Sequence, residues 1–172
     1  IGYSTDSVAE ATIGSALALM REVTFYNDFF HAGYYSASKR IFNFDRPTAQ
    51  IGGKRWGIIG MGNIGRRVAK LAEAFGCEVS YYSTSCIARD ESYNSVSLNE
   101  LLTESDIVSI HCPLNEKTLD LISEEQLSMM KRSAILINVA RGGIVNEAAL
   151  ADALNNKVIR GAALDVFSSE PL

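Results

Sequence analysis

Short apolar runs recur along the chain from residue 55 onward, and each is separated from the next by a segment of helical character. Runs that alternate in this way are typical of βαβ units, in which helices cover both faces of a mainly parallel sheet. The pattern therefore predicts an α/β protein with three layers, α/β/α. The predicted strands are Trp56–Ile59, Val79–Tyr82, Ile107–His111, Ala134–Val139 and Ile159–Leu164.

A long helix is predicted ahead of these strands. Ser7 and Glu10 have the spacing of a capping box, and apolar residues continue at near-helical intervals as far as Met20. Three later helix starts also carry good capping residues. They are a second capping box at Ser97–Glu100, Ser123 before two glutamates, and Asn146 before the helix Glu147–Leu154.

Aromatic residues are concentrated between the first helix and residue 50. The segment from Phe25 to Gln50 has no clean period, so it is predicted to be an ordered but irregular connection. Its aromatic side chains are too many to leave in water, which indicates that they pack against something. They are Phe25, Tyr26, Phe29, Phe30, Tyr34, Tyr35, Phe42 and Phe44.

Length and charge narrow the class of protein. With 172 residues and 47% apolar composition, the chain is predicted to form one domain over residues 1–172. The 16 basic and 20 acidic residues include no basic cluster, which argues against a nucleic-acid partner. There is no apolar run of membrane-spanning length and no signal-peptide pattern, so no membrane partner is expected and a cytoplasmic location is predicted.

The cysteines carry no sign of a metal site. Cys77, Cys86 and Cys112 have neither CxxC spacing nor histidines at zinc-binding intervals. We interpret them as reduced thiols that mostly serve packing, and we expect no metal.

A glycine-rich loop comes directly after the first predicted strand. Gly60, Gly62 and Gly65 form a G-x-G-x-x-G motif that opens a predicted helix over 64–75, and a second strand begins at Val79. In a dinucleotide-binding loop the first glycine makes a tight turn, the second lets the backbone approach a pyrophosphate, and the third lets helix and strand pack closely. The loop therefore predicts a Rossmann-type doubly wound fold, with a bound diphosphate at the helix N-terminus. A tight turn without a ligand is the alternative.

The end of the second strand bears on the choice of cofactor. Dinucleotide folds that bind NAD commonly place Asp or Glu here, where it accepts hydrogen bonds from the adenosine ribose and repels a 2′-phosphate. Ser83 occupies this position and Thr84 comes next, and the nearest cation downstream is Arg89. We expect NAD to be preferred, with weaker discrimination against NADP than a carboxylate would give.

Five segments together carry a family resemblance. They are SVAE at 7–10, GKRWGIIGMGNIG at 53–65, HCPLNEKT at 111–118, INVARGGIVNEAAL at 137–150 and GAALDVFSSEPL at 161–172. The chain resembles the D-isomer-specific 2-hydroxyacid dehydrogenases, which transfer a hydride between NAD(H) and a 2-hydroxy acid/2-oxo acid pair. The fragment GCEVSYYSTS looks most like the glycerate dehydrogenase (hydroxypyruvate reductase) branch.

The resemblance implies roles for individual residues. Arg141 matches the arginine that binds the substrate carboxylate and polarises its carbonyl, and Glu170 matches the carboxylate that orients the catalytic histidine. Asp165 matches the residue that meets the nicotinamide carboxamide. His111 matches a segment that borders the cofactor, and not the acid/base residue. Further positions implied at the cofactor are Asn63, Ile64, Pro113, Thr118, Val139 and Ala140.

Ordinary structural roles remain open for the three charged residues. Arg141 could pair with a surface carboxylate, although its place after a strand and before two glycines is where open α/β sheets bind ligands. Glu170 could be a solvated acid, and Asp165 could cap a turn.

The resemblance also implies that parts of a complete enzyme lie outside this sequence. In the family the acid/base histidine comes after the Glu-Pro dipeptide, here Glu170-Pro171, and the substrate domain flanks the cofactor domain on both sides. We therefore expect the 172-residue chain to have little turnover alone. The small 2-oxo acid substrate would bind only in the intact protein.

Assembly and an alternative function complete the expectations. Family members use the segment before the glycine loop for dimer contacts, so residues 7–50, with their helix and aromatic side chains, are expected to mediate a homodimer. Related transcriptional corepressors keep this fold and use cofactor binding to control dimerisation. An NAD-sensing dimerisation module is therefore the alternative hypothesis.

Overall fold

The central element of the fold is a six-stranded sheet in which every pairing is parallel. The computed structural model describes residues 4–38, 40–43, 45–85 and 92–171. The strand order is β3-β2-β1-β4-β5-β6, so the chain leaves β3 at one edge and returns to the middle of the sheet. The strands are β1 (Arg55–Ile59), β2 (Glu78–Tyr82), β3 (Asn94–Ser95), β4 (Ile107–Ile110), β5 (Ile135–Asn138) and β6 (Gly161–Leu164).

Seven helices are described around the sheet. They are α1 (Thr5–Arg21), α2 (Val23–His31), α3 (Tyr34–Ser38), α4 (Asn63–Ala74), α5 (Leu98–Glu104), α6 (Glu124–Met129) and α7 (Glu147–Asn155). Helices α1 and α4 pack on one face, while α5 contacts β1 and β2 and packs beside α6, which in turn packs beside α7. The predicted doubly wound, three-layer α/β/α fold is confirmed.

The strands are apolar because helices cover both of their faces. Strands β4 and β5 are buried at every position. One core cluster includes Met20, Trp56 and Val68, on the side of α1 and α4, and the other includes Leu102 and Leu127, on the side of α5 and α6. Because helices cover both faces of the sheet, the strand ends are the places where polar side chains can meet a ligand.

One strand was not predicted from the apolar pattern. β3 has only two residues, Asn94 and Ser95, and both are polar and exposed. It pairs with β2 at the edge of the sheet through Ser80↔Asn94 and Tyr81↔Ser95. An edge strand this short buries no apolar run, so hydrophobic periodicity gives no signal for it.

The helix starts were predicted well in three cases and wrongly in one. Ser97 Oγ accepts a hydrogen bond from Glu100 N at 3.2 Å, and Asn146 Oδ1 accepts one from Ala149 N at 3.0 Å. Ser123 forms a capping box with Gln126. The predicted box at Ser7–Glu10 is wrong, because α1 begins at Thr5 and Ser7 already lies inside its first turn.

The prediction of an irregular connection from residue 25 is wrong as far as residue 38, where the chain forms α2 and α3. Helix α2 starts directly after a reversal at Glu22, which adopts the left-handed conformation with φ 53°. The expectation that the aromatic side chains are covered also fails within this chain, since Phe30, Tyr34 and Tyr35 are 54%, 62% and 37% exposed. Phe44 lies outside the described residues.

A half-buried arginine anchors this helix pair to the rest of the domain. The Arg160 guanidinium donates to the carbonyl oxygens of Met20 and Pro47 and lies 3.3 Å from Glu22 Oε1. Glu22 also pairs with Arg46, whose guanidinium stacks 5.0 Å from the Phe25 ring centroid. These contacts join α1, α2 and the segment near residue 47 to the start of β6.

Two further sequence inferences can be placed on the structure. Cys77 and Cys112 are buried free thiols, whereas Cys86 lies outside the described residues. Burial raises the pKa of the Cys77 thiol to about 11. Across the described ranges, no helix combines the length and apolarity that crossing a membrane requires.

We expect Gly65→Ala to destabilise the domain. A Cβ at residue 65 would lie 2.3 Å from the Gly60 carbonyl oxygen and 3.3 Å from the Ile58 side chain, so α4 would have to move away from β1. Overpacking of this kind costs about 1 to 3 kcal/mol of unfolding free energy, measurable by urea denaturation. Gly14→Ala in α1 is the matched control. It meets nothing within 4 Å and should stabilise by up to about 1 kcal/mol. Equal effects of the two changes would contradict this account.

Candidate functional site

A large cleft opens at the carboxyl edge of the sheet. Strand order reverses between β1 and β4, so the connections after these two strands leave in opposite directions and a crevice forms between them. A cavity of about 1060 Å³ occupies this position. Residues 60–63 and Arg66, which follow β1, form one wall. Residues 83–85, after β2, form a second wall. The third wall follows β4 and consists of residues 111–113 and 115–117.

The glycine loop forms the floor of this cleft, and each glycine is required for a different reason. Gly60 adopts φ 101°, and a Cβ there would lie 2.7 Å from Cys112 N. Gly65 lies against the Gly60 carbonyl, which keeps α4 close to β1. Gly62 differs from both, because a Cβ there would meet no atom within 4 Å. The space over Gly62 is therefore open, and the absence of a side chain keeps the N-terminus of α4 accessible to a ligand.

The wall after β2 is lined by hydroxyl groups. Ser83 is 7% exposed and its Oγ lies 3.1 Å from Ser85 Oγ, while Thr84 lines the cleft between them. Arg66, on the first turn of α4, brings a cation to the same cleft. Arg89, the cation considered from sequence, lies outside the described residues. This wall offers hydrogen-bonding groups and a nearby positive charge, and no carboxylate at position 83.

The loop after β4 is held in shape by Thr118. Its buried hydroxyl donates to the Pro113 carbonyl at 2.7 Å and accepts from Asn115 N at 2.8 Å. Thr118 does not itself line the cleft, whereas Pro113, Asn115 and Lys117 do. Its hydroxyl is used within the loop, where it fixes the backbone that carries the residues lining the wall.

His111 begins this loop and lies at the cleft. Its Nε2 is 3.0 Å from Ser109 Oγ, and its buried Nδ1 has no hydrogen-bond partner among the described residues. Burial lowers the pKa of His111 to about 3, because the imidazolium would lose its hydration. The ring is therefore neutral across the physiological range of pH.

The turn after β5 carries Arg141. Asn138 shapes this turn: its Nδ2 donates to the Arg141 carbonyl at 2.9 Å, and its Oδ1 accepts from Ala140 N at 3.1 Å. The Arg141 side chain is exposed, and its guanidinium donates to the Ala140 carbonyl at 2.6 Å. The surface ion pair considered as its alternative role is not found within the described part of the chain.

The segment after β6 runs beside this turn. Asp165 is exposed, and its backbone N–H donates to the Asn138 carbonyl at 3.0 Å. A Cβ at Gly142 would lie 1.9 Å from the Phe167 carbonyl oxygen, so the two segments touch through backbone atoms. The Glu170 carboxylate accepts a hydrogen bond from Phe167 N at 2.8 Å. No described contact joins Glu170 to either histidine.

The structure separates the predicted site residues into groups. Gly60, Gly62, Asn63, Ser83, Thr84, His111 and Pro113 line the cleft. Ile64, Gly65, Thr118 and Val139 do not line the cleft and are partly or fully buried. Ala140, Arg141, Asp165 and Glu170 belong to the neighbouring strand ends after β5 and β6 and do not line the cleft.

Comparison with known proteins identifies the family of the chain. The sequence model for the D-isomer specific 2-hydroxyacid dehydrogenase NAD binding domain matches residues 13–172. The chain belongs to this family. It is 42% identical over 169 residues to the glycerate dehydrogenase of Methylorubrum extorquens, covering 98% of this chain and 52% of that protein. This domain therefore spans about half the length of the curated relatives it matches.

Solved structures of relatives include complexes with either nicotinamide cofactor. A D-isomer specific 2-hydroxyacid dehydrogenase from Lactobacillus delbrueckii in its NAD complexed form superposes with a TM-score of 0.86 at 33% identity, covering 98% of this domain and 50% of that chain. An acyclic imino acid reductase in complex with NADPH and D-Arg has a TM-score of 0.88, also at 33% identity, with 97% and 52% coverage.

Sequence reasoning missed several residues of this NAD-binding domain. Arg66 and Asn138 were overlooked as site residues, although Arg66 comes directly after the glycine motif and Asn138 lies near the end of a predicted strand. Ser85, Asn115, Glu116 and Lys117 also line the cleft. The first-turn position of Arg66 was the available signal for it. The role of Asn138 depends on the path of the turn, which periodicity does not reveal.

His111 should make stability depend on pH. The unfolded chain takes up a proton near the ordinary pKa of 6.5, while the folded chain resists it down to about 3. The neutral His111 ring therefore contributes its full stabilisation above pH 6.5. As the pH falls from 6.5 towards about 3, this contribution is lost, by up to about 1.4 kcal/mol of unfolding free energy per pH unit. In urea unfolding between pH 7 and about 4.5, His111→Gln should give a flatter dependence than the wild type. His31→Gln, at an exposed site, is the control for loss of a histidine. A wild-type slope in His111→Gln would contradict the assignment.

Proposed function

We propose that this domain serves an oxidoreductase that transfers a hydride between NAD(H) and a small D-2-hydroxy acid/2-oxo acid pair. The observation that carries the proposal is the open space over Gly62 at the N-terminus of α4, placed where the parallel strand order reverses. The glycerate/hydroxypyruvate pair is the substrate we favour, because the relatives include a glycerate dehydrogenase, and others are hydroxypyruvate and glyoxylate reductases.

The cleft residues fit a dinucleotide in charge and shape. Backbone N–H groups of the first turn of α4 face the diphosphate position, and Gly62 allows close approach. The hydroxyls of Ser83 and Thr84 suit the adenosine ribose, and the loop from His111 to Lys117 forms the opposite wall. NAD, when bound, supplies or accepts the hydride at its nicotinamide ring.

The substrate would meet the strand ends after β5 and β6. The guanidinium of Arg141 can hold a carboxylate through paired hydrogen bonds and polarise the adjacent carbonyl, while Asn138 fixes the turn that presents it. Asp165, directly after β6, is proposed to meet the carboxamide end of the cofactor with its carboxylate. Glu170 would orient an acid/base histidine contributed from outside the described residues.

Cofactor preference depends on the hydroxyl-lined wall. Ser83 has no negative charge that would repel a 2′-phosphate, and the positive charge of Arg66 in the same cleft is compatible with a 2′-phosphate. We therefore propose that NAD is preferred, with discrimination against NADP weaker than a carboxylate at position 83 would provide.

The two buried free thiols fit a reducing compartment, and a cytoplasmic location stays a prediction that cell fractionation would test.

Titration with NADH, monitored by its fluorescence, tests the proposed function. We expect the 172-residue chain to bind NADH, and Gly62→Ala to weaken binding at least about tenfold, because the added methyl group occupies the approach of the pyrophosphate. The unfolding midpoint of Gly62→Ala should match the wild type, since no protein atom is displaced. Gly14→Ala is the control for an open glycine outside the cleft. The proposal would be contradicted if the wild type did not bind NADH, or if Gly62→Ala bound NADH as tightly as the wild type. A parallel titration with NADPH tests the proposed preference for NAD.

We also propose that the helix pair α2–α3 contacts a second copy of the chain. Aromatic and aliphatic side chains are exposed together on this part of the molecule, and a cluster of that kind marks an interaction surface. The rings of Phe25 and Phe29, and those of Phe29 and Phe30, are in contact, so the aromatic side chains of the pair pack on one another. The exposed members are Val23, Phe30, Tyr34 and Tyr35 in the helix pair, and Ile41 and Phe42 follow α3 along the chain.

Sedimentation velocity at increasing protein concentration tests the homodimer. We expect Tyr34→Glu to shift the chain towards the monomer, because it places a charge in the apolar surface. Phe75→Glu is the control, since Phe75 is an exposed aromatic residue beyond the C-terminal end of α4. A wild type that stays monomeric at all concentrations, or equal association of the two variants, would argue against this interface.

A further inference from the structure

A chain of three side chains runs from the core to the cleft. The Trp56 indole Nε1–H donates to Ser109 Oγ at 2.9 Å, and Ser109 Oγ lies 3.0 Å from His111 Nε2. Trp56 and Ser109 are fully buried in β1 and β4, and His111 lines the cleft. The distances are those of normal hydrogen bonds, so the three residues form one connected network.

Counting protons in this network fixes the protonation of the histidine. An indole nitrogen can only donate, so Trp56 uses an oxygen lone pair of Ser109. The single hydroxyl proton of Ser109 then has one described acceptor, which is His111 Nε2. If Nε2 carried a proton instead, the serine proton and the Nδ1 lone pair would both be buried without partners. With the proton on Nδ1, only that one group is unpaired.

The main chain at His111 also contacts the glycine loop. A Cβ on Gly60 would lie 2.9 Å from the His111 carbonyl carbon and 2.7 Å from Cys112 N, so the main chain at 111–112 is in contact with the first turn of the cleft floor. The charged groups along the cleft are Arg66 from α4, and Glu116 and Lys117 from the loop after β4. None of the three is a hydrogen-bond partner of the ring in the described contacts.

We infer that Trp56 and Ser109 are positioning residues that hold His111 as a neutral ring protonated at Nδ1, and thereby fix the cleft wall against which a dinucleotide binds. Burial disfavours the charged imidazolium and supports the same protonation state. The part of this inference that concerns binding rests on the proposed function. The part that concerns the proton does not, because it applies to the chain without a ligand.

Nitrogen NMR of the free protein tests the position of the proton. The sequence contains two histidines, so His31→Gln in a chain labelled with ¹⁵N-histidine leaves only the His111 ring to observe. We expect a protonated, pyrrole-like Nδ1 and an unprotonated, pyridine-like Nε2 at neutral pH. Ser109→Ala should remove this preference, and Trp56→Phe, which keeps the serine, should weaken it. A proton on Nε2 in the otherwise native chain, or an unchanged preference in Ser109→Ala, would overturn the inference.

Calorimetric titration with NAD⁺ tests the consequence for the cleft. Loss of one positioning hydrogen bond should weaken binding about three- to tenfold in Ser109→Ala. Ser105→Ala is the matched control, because Ser105 is a similarly buried serine that does not line this cleft. Equal affinities of the two variants would contradict the positioning role. If the wild type itself failed to bind NAD⁺, the proposed function would fail, while the NMR result would still decide where the proton lies.

Discussion

Backbone contact between the glycine loop and its neighbours is the constraint on which the site depends. Gly65 lies against the carbonyl of Gly60, and Gly60 lies against the backbone of Cys112, so helix, loop and the segment after β4 meet without side chains between them. This contact brings the N-terminus of α4 to the carboxyl edge of the sheet and places the loop after β4 across from it. Gly62, between the two crowded glycines, is then the position left open.

Polar side chains near the strand ends serve mainly to hold backbone in place. Thr118 fixes the loop after β4, Asn138 fixes the turn after β5, and Ser109 links the β4 strand to the histidine that begins the next loop. Each is buried, and each uses its hydrogen-bonding capacity within the protein. Groups that could meet a ligand, such as Arg141 and the hydroxyls after β2, are carried on backbone that these buried residues have already fixed.

Features that depend on burial, local capping or a motif could be predicted from the sequence. Strands β4 and β5 are buried along their whole length, and Ser97 caps α5 through a contact only three residues away. The two polar residues of β3 carry no hydrophobic signal, and the aromatic residues of α2 and α3 have no buried face within this chain. At the site, Ser83 could be named because its spacing from the glycine loop is set locally. The first-turn position of Arg66 was a local signal for it, whereas the role of Asn138 depends on the path of a loop, which is a property of the tertiary arrangement.

The Arg160 anchor also has a bearing on how the chain is assembled. Its hydrogen bonds reach back 113 residues to Pro47, 138 to Glu22 and 140 to Met20, so they are strongly non-local. Non-local contacts form late, because the loop they close must first be ordered. During synthesis the aromatic helix pair therefore emerges before β6, and the Arg160 contacts are added to those between Glu22, Arg46 and Phe25 only when β6 is reached. Until then its exposed apolar side chains lack this anchor, and transiently loose apolar surface of this kind is prone to aggregation.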